Sequence, residues 1–203
     1  RDGDRSIDQA IFVACDLCII RGGRTLYDDV RAQLKGRLPE EIQSKIILSA
    51  THTHTGPVPQ EELYDLLKEG VMPLAEYRKF LTKRLADIIV AAWDKRESAT
   101  VAWGLGHAVI AHNRRTTYDD GTTAMYGRTN VEKFRGMEGM EDHGVEILYF
   151  WNAQDKLIAT AINVACPAQE VESLSSVNAD FWHQVRIAAQ RKSGCGSFAE
   201  SML

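Results

Sequence analysis

The side chains best suited to chemistry lie in Ser49-Ala50-Thr51-His52-Thr53-His54-Thr55-Gly56-Pro57. His52 and His54 are two residues apart, so on an extended backbone their Cβ atoms point the same way. Two imidazoles aimed at one spot can hold a transition metal. Alternatively, one holds the metal while the other handles a proton. The plain alternative is two unconnected rings hydrogen-bonded to backbone.

These rings need a scaffold. Lys45-Ile46-Ile47-Leu48 is a short apolar run of the buried-strand kind, and Gly56-Pro57 marks a turn. The histidines therefore sit where a strand ends and a loop begins, the edge at which open α/β sheets bind ligands. Residues 9–20 read as an earlier strand, 21–24 as a turn and 25–35 as a helix with Leu26, Val30 and Leu34 on one face. Gly36 is placed to end that helix, and 39–44 is a short helical connector. Strand, helix and strand in this order predict a βαβ unit with a parallel pair. Cys15 and Cys18 fall inside the first apolar run. No second pair follows at zinc-ribbon spacing, so both read as small packed thiols.

Downstream, residues 60–69 read as a short helix and 73–95 as a longer one. Its apolar stripe is Leu74, Tyr77, Leu81, Leu85, Ile88, Ile89 and Ala92. A strand is expected over 100–111. Residues 112–143 carry many glycines and polar side chains, with Tyr118, Tyr126, Phe134 and His143 among them. They predict a long ordered loop covering something. Residues 145–151 and 157–165 read as a hairpin about Asn152–Lys156. A helix over 179–192 is capped by Asn178 or Asp180.

With 203 residues, 44% hydrophobic and 26% charged, the chain can bury one sizeable core. A net charge of -4 without basic clusters excludes a nucleic-acid surface. No apolar run is long enough to span a bilayer. The chain begins at Arg1 without Met and ends abruptly at Leu203. The expectation is a piece, residues 1–203, truncated at both ends.

Ala-Thr-His-Thr-His-Thr-Gly-Pro resembles the signature of the neutral, non-lysosomal ceramidases, which carry Thr/Ser-His-Thr-His-Ser-Gly-Pro. Three further stretches match that family in order. His112-Asn113-Arg114-Arg115 stands where the family has Asn-Arg-Ser, with the arginine at the substrate pocket. Ala161 to Gln169 stands where an apolar strand ends in a zinc-binding histidine, a position occupied here by Cys166. Ser176 to His183 stands where the family has Ser-Gly/Ala-Asp, and Asp180 is the matching carboxylate. The resemblance implies an α/β fold with mixed β-sheet layers flanked by helices, an incomplete N-terminal domain of a larger protein. It implies Zn2+ as cofactor. His52 and Cys166 are then metal ligands, His54 and Arg114 catalytic, and Asn113, Asp180 and His183 lie at the substrate or behind the ligands.

Cys166 leaves three readings open: a thiolate ligand that makes zinc a weaker Lewis acid, a nucleophile with His52 or His54 as base, or a packed thiol. The family's remaining ligands, a glutamate and a tyrosine, and its serine nucleophile belong to sequence after Leu203, so this piece alone is expected to hydrolyse nothing. The function implied is hydrolysis of the amide of ceramide or a related N-acyl compound, with a small-molecule amide or lipid as partner. Membrane-surface association would come through the rest of the protein, and the family implies a secreted or periplasmic setting. The alternatives are a non-catalytic lipid- or carbohydrate-binding homologue and a cysteine-nucleophile amidase.

Overall fold

Buried residues alternate with more exposed ones along Ile11–Cys15 (β1) and Ile46–Ala50 (β2), and the two strands pair in parallel, Ile11 opposite Ile46 and Cys15 opposite Ala50. The helix between them, Arg24–Leu34 (α1), buries Leu26, Val30 and Leu34 at 4%, 1% and 0% exposure. This is the stripe that fourfold spacing predicts. Gly36 takes a φ of +73°, the left-handed conformation that ends a helix without a Cβ penalty. Glu40–Gln43 (α2) is the short connector. The computed structural model describes residues 8–20, 24–59, 69–193 and 198–201; the helix expected over 60–69 lies almost wholly outside them.

Leu74–Asp94 (α3) packs on the same core through Leu85, Ala86 and Ile89. Ile88, expected on this face, is 53% exposed, because the buried stripe runs one position out of phase with it. Arg78 of α3 reaches Asp29 of α1 at 2.7 Å, and Arg37 reaches Asp87 at 2.8 Å. Tyr27 ties α1 to β2, its hydroxyl donating to the Leu48 carbonyl at 3.1 Å and accepting from the Leu48 N–H at 2.9 Å.

A second sheet has the order β3-β7-β8-β9, from Thr100–His107 (β3), Gly144–Trp151 (β7), Leu157–Val164 (β8) and Phe198–Ser201 (β9). β3, β7 and β8 are antiparallel and β9 joins β8 in parallel. The β7–β8 connector is organised by Asn152, whose Oδ1 accepts the N–H groups of Gln154 and Lys156, each at 3.0 Å. Phe181–Ser193 (α4) follows, with Trp182 buried beside Val164, Cys166 and Ala168 in a second core. With parallel and antiparallel sheets and four helices among the described residues, this is an α/β fold.

The first strand is shorter than the apolar run suggests, five residues ending at Cys15. The stretch 112–143 is also more regular than a loop. It holds a three-stranded antiparallel sheet of Arg115–Tyr118 (β4), Thr123–Met125 (β5) and Phe134–Met137 (β6), in the order β5-β4-β6. Thr116 at its centre is 1% exposed and donates to the Ala124 carbonyl at 3.0 Å.

Candidate active site

Because β1 and β2 end level with each other, the loops that follow them leave one sheet edge side by side. The Thr51 N–H donates to the Cys15 carbonyl at 2.9 Å and extends the pairing one step past the ladder. Beyond it the threonines and histidines part company. Thr51, Thr53 and Thr55 are 1%, 0% and 8% exposed, while His52 and His54 stay half-buried.

Each threonine has a fixed partner. The Thr51 hydroxyl donates to Asp16 Oδ1 at 3.1 Å, and the Asp16 carboxylate also receives both guanidinium nitrogens of Arg186 from α4, each at 2.8 Å. This two-pronged pairing fixes geometry better than a single bond. Thr53 Oγ1 lies 3.2 Å from the Asn178 carbonyl oxygen, and Thr55 Oγ1 lies 2.9 Å from Asn178 Oδ1. Gly56 completes the loop. A Cβ there would lie 2.8 Å from the Asp16 carbonyl oxygen, so no larger residue fits without movement.

The backbone at the histidines is not extended. His52 adopts a φ of +59°, a left-handed conformation uncommon outside glycine. The rings nonetheless come together, with centroids 4.9 Å apart and planes at 47°. They meet because the buried threonines hold the turn, which differs from the simple alternation the spacing suggests.

His54 has partners more than a hundred residues away. The Gln169 amide nitrogen lies 2.9 Å from His54 Nε2, and Glu172 Oε2 lies 3.1 Å from Nδ1. A proton on Nδ1 facing the carboxylate leaves the Nε2 lone pair to accept from the amide. The other end of Gln169 accepts from Arg114 Nη1 at 3.1 Å. Arg114 also donates to the Tyr126 hydroxyl and stands 5.0 Å from the centre of that ring. Gln169 thus bridges Arg114 and His54; an isolated glutamine has no spacing pattern by which the sequence could reveal it.

Asp180 holds this bridge from behind. It is 7% exposed, has a φ of +53°, and its carboxylate accepts the N–H groups of Glu170 at 3.2 Å, Val171 at 3.0 Å and Phe181 at 2.7 Å. One of these bonds holds the first residue of α4, and the other two pin the segment after Gln169. His183 lies exposed on the first turn of α4. The Asn113 side chain accepts from the Arg115 N–H at 2.9 Å, and the Asn113 backbone N–H donates to Glu141 at 2.9 Å, so the residue shapes the entry to β4.

The cysteines need two corrections, at Cys18 and at Cys166. Cys15 is a buried core thiol, 6% exposed, and burial pushes its pKa from 9.0 to about 12. Cys18 is not packed in the strand with it. It lies past the strand end and half-buried, with its sulfur and one nitrogen from each of His52 and His54 all within 4.8 Å of one another. Cys166 does not belong to that trio. Its thiol lies 3.5 Å from the carbonyl oxygens of Ile110 and of Pro167, and burial, with Glu170 and Asp180 nearby, raises its pKa. Together with Trp182 it lines an apolar hollow of about 430 Å³.

Burial lowers the His52 pKa, helped by His54 and Arg114. This favours the neutral ring, the form that binds metals. A thiol and imidazole nitrogens within this reach are donors of the kind zinc takes, the metal that the resemblance implies.

No protein-family model matches the chain. No curated protein matches it either. Among solved structures, neutral ceramidase from Pseudomonas aeruginosa superposes with a TM-score of 0.67 over 94% of this chain, at 18% identity. The fold is that of neutral ceramidase. A ceramidase complexed with C2 superposes at 0.64 over 94% of the chain, with 16% identity. The chain spans 29% of the length of each of these ceramidases. Among the described residues, no helix is long and apolar enough to cross a membrane.

Proposed function

We propose that this chain is part of a zinc-dependent amidohydrolase that cleaves the amide of ceramide or a related N-acyl compound, in a secreted or periplasmic setting. The observation that carries the reading is the Arg114–Gln169–His54 bridge beside His52, at a strand-end cleft within a ceramidase-like fold.

Each residue has a role in this reading. His52 holds the metal through a neutral ring nitrogen. Zinc bound there supplies a Lewis acid for the amide carbonyl and for the group that attacks it. His54, with Nδ1 turned to Glu172 and Nε2 to Gln169, moves a proton at Nε2. Arg114, steadied by Gln169 and Tyr126, offers a guanidinium to the charge that develops on the carbonyl oxygen. The apolar hollow beside Cys166 and Trp182 suits a hydrocarbon chain.

The test is an assay of the full-length protein for fatty-acid release from an N-acyl sphingoid base. Turnover abolished by chelation and restored by zinc supports the proposal. Zinc-loaded protein with no turnover on any N-acyl amide tried overturns it in favour of a binding protein.

A further inference from the structure

We propose that Cys18 is a thiolate ligand of the metal site centred on His52. This deepens the reading above and rests on it for the metal at His52; the sulfur is the new element.

Geometry carries the assignment. Cys18 follows β1 as the histidines follow β2, and the two strands are parallel neighbours ending level. Its sulfur lies within 4.8 Å of a ring nitrogen of His52, the ligand, and of one of His54, which stands beside the site. Around a tetrahedral zinc, sulfur–nitrogen and nitrogen–nitrogen edges are roughly 3.3–3.6 Å, given bonds of about 2.3 and 2.05 Å. Small side-chain rotations close that gap.

The loop that carries the sulfur is braced independently of any metal. Asp16 is clamped by Arg186 and Thr51, and Gly56 lets the histidine loop approach close to the Asp16 carbonyl and Leu17 Cα. The Cys-x-x-Cys pair divides its work. Cys15 belongs to the core, with its sulfur 3.9 Å from the Val13 carbonyl, while Cys18 faces the cleft. Cys166 stands with the carbonyls of Ile110 and Pro167 and outside the trio. His54 is left to Gln169 and Glu172.

On binding, the thiol proton passes to solvent and the thiolate takes its place on the metal. The added negative charge favours zinc, cobalt or cadmium over magnesium and weakens the metal as a Lewis acid.

Cobalt reports this directly. Metal-free full-length protein is titrated with Co2+ and read in the near ultraviolet, where a thiolate on cobalt gives a charge-transfer band. The wild type and the Cys166→Ser variant are expected to show the band. Cys18→Ser is expected to lose it and to bind cobalt at least about 10–100-fold more weakly, the range that even partners behind the ligands command. Cys18→Asp, which restores an anionic ligand, is expected to recover binding without the band; it also decides the matter should Cys18→Ser fail to fold. A band that survives in Cys18→Ser, or disappears in Cys166→Ser, overturns the assignment. Cobalt bound to wild type without the band overturns it while leaving the hydrolase reading intact. A wild type that binds no cobalt overturns both.

Discussion

Gln169 Nε2 lies 2.9 Å from His54 Nε2, and its carbonyl end takes a hydrogen bond from Arg114 at 3.1 Å. One neutral amide thus sets the distance between a cation and an imidazole that come from distant parts of the chain. The amide stands between the two and so decides how each is aimed.

Replacing Gln169 by Leu keeps most of the volume and removes both bonds. The expected result in the full-length enzyme is a kcat/KM lower by roughly 10–100-fold, as for other residues that orient site groups. Metal content and folding should be unchanged. Kinetics alongside metal analysis check this; an unchanged kcat/KM would mean that Arg114 and His54 hold their positions unaided.

Asp180 takes three backbone N–H groups while 7% exposed. Hydrogen bonds to a buried carboxylate are the strong kind. Asp180→Asn turns one acceptor oxygen into a donor that faces N–H groups. The expected loss is about 1–3 kcal/mol of stability, read by urea denaturation, with a drop in activity as the Gln169 segment loosens. Asp180→Ala should cost more than Asp180→Asn.

Gly56 is the position where the loop has no room. A methyl there meets the Asp16 carbonyl at 2.8 Å, Thr53 Cγ2 at 3.1 Å and Leu17 Cα at 3.3 Å. Two of the three are backbone, which cannot rotate away. Gly56→Ala should destabilise by about 1–3 kcal/mol, the usual cost of overpacking, and should weaken cobalt binding by parting the Cys18 and His52 loops. Thermal melting and metal titration of the same variant check both.

The βαβ unit was legible because its signals are local. Apolar residues at fourfold spacing in α1, Gly36 after it and the short apolar runs of β1 and β2 each act within a few residues. The hairpin about Asn152 reads equally well. Cys18 did not, since the apolar run continues past the point where β1 stops. What stops it is Asp16, whose partner Arg186 lies 170 residues on. The three short strands over 115–137 are three or four residues long and owe their pairing to each other, which periodicity cannot register. The histidine pair and Arg114 were legible by string, but Gln169, the residue that joins them, carries no pattern of its own.

Cys15 supplies a pH dependence with a definite sign. Burial holds its thiol protonated to about 12, against 9.0 ordinarily. In the unfolded chain the thiol loses its proton near its ordinary value, so between the two values the unfolded state binds fewer protons and stability falls as pH rises. Below about pH 9 this contribution is fully present; at the upper end the loss approaches roughly 4 kcal/mol, at about 1.4 kcal/mol per tenfold. Cys15→Ala should be less stable than wild type at neutral pH because it leaves a small void in the core. Its stability should nevertheless fall less steeply above about pH 9. Urea denaturation of both proteins at neutral pH and near pH 10 measures the difference. Parallel curves would show that the Cys15 thiol ionises as readily in the folded chain as in the unfolded one.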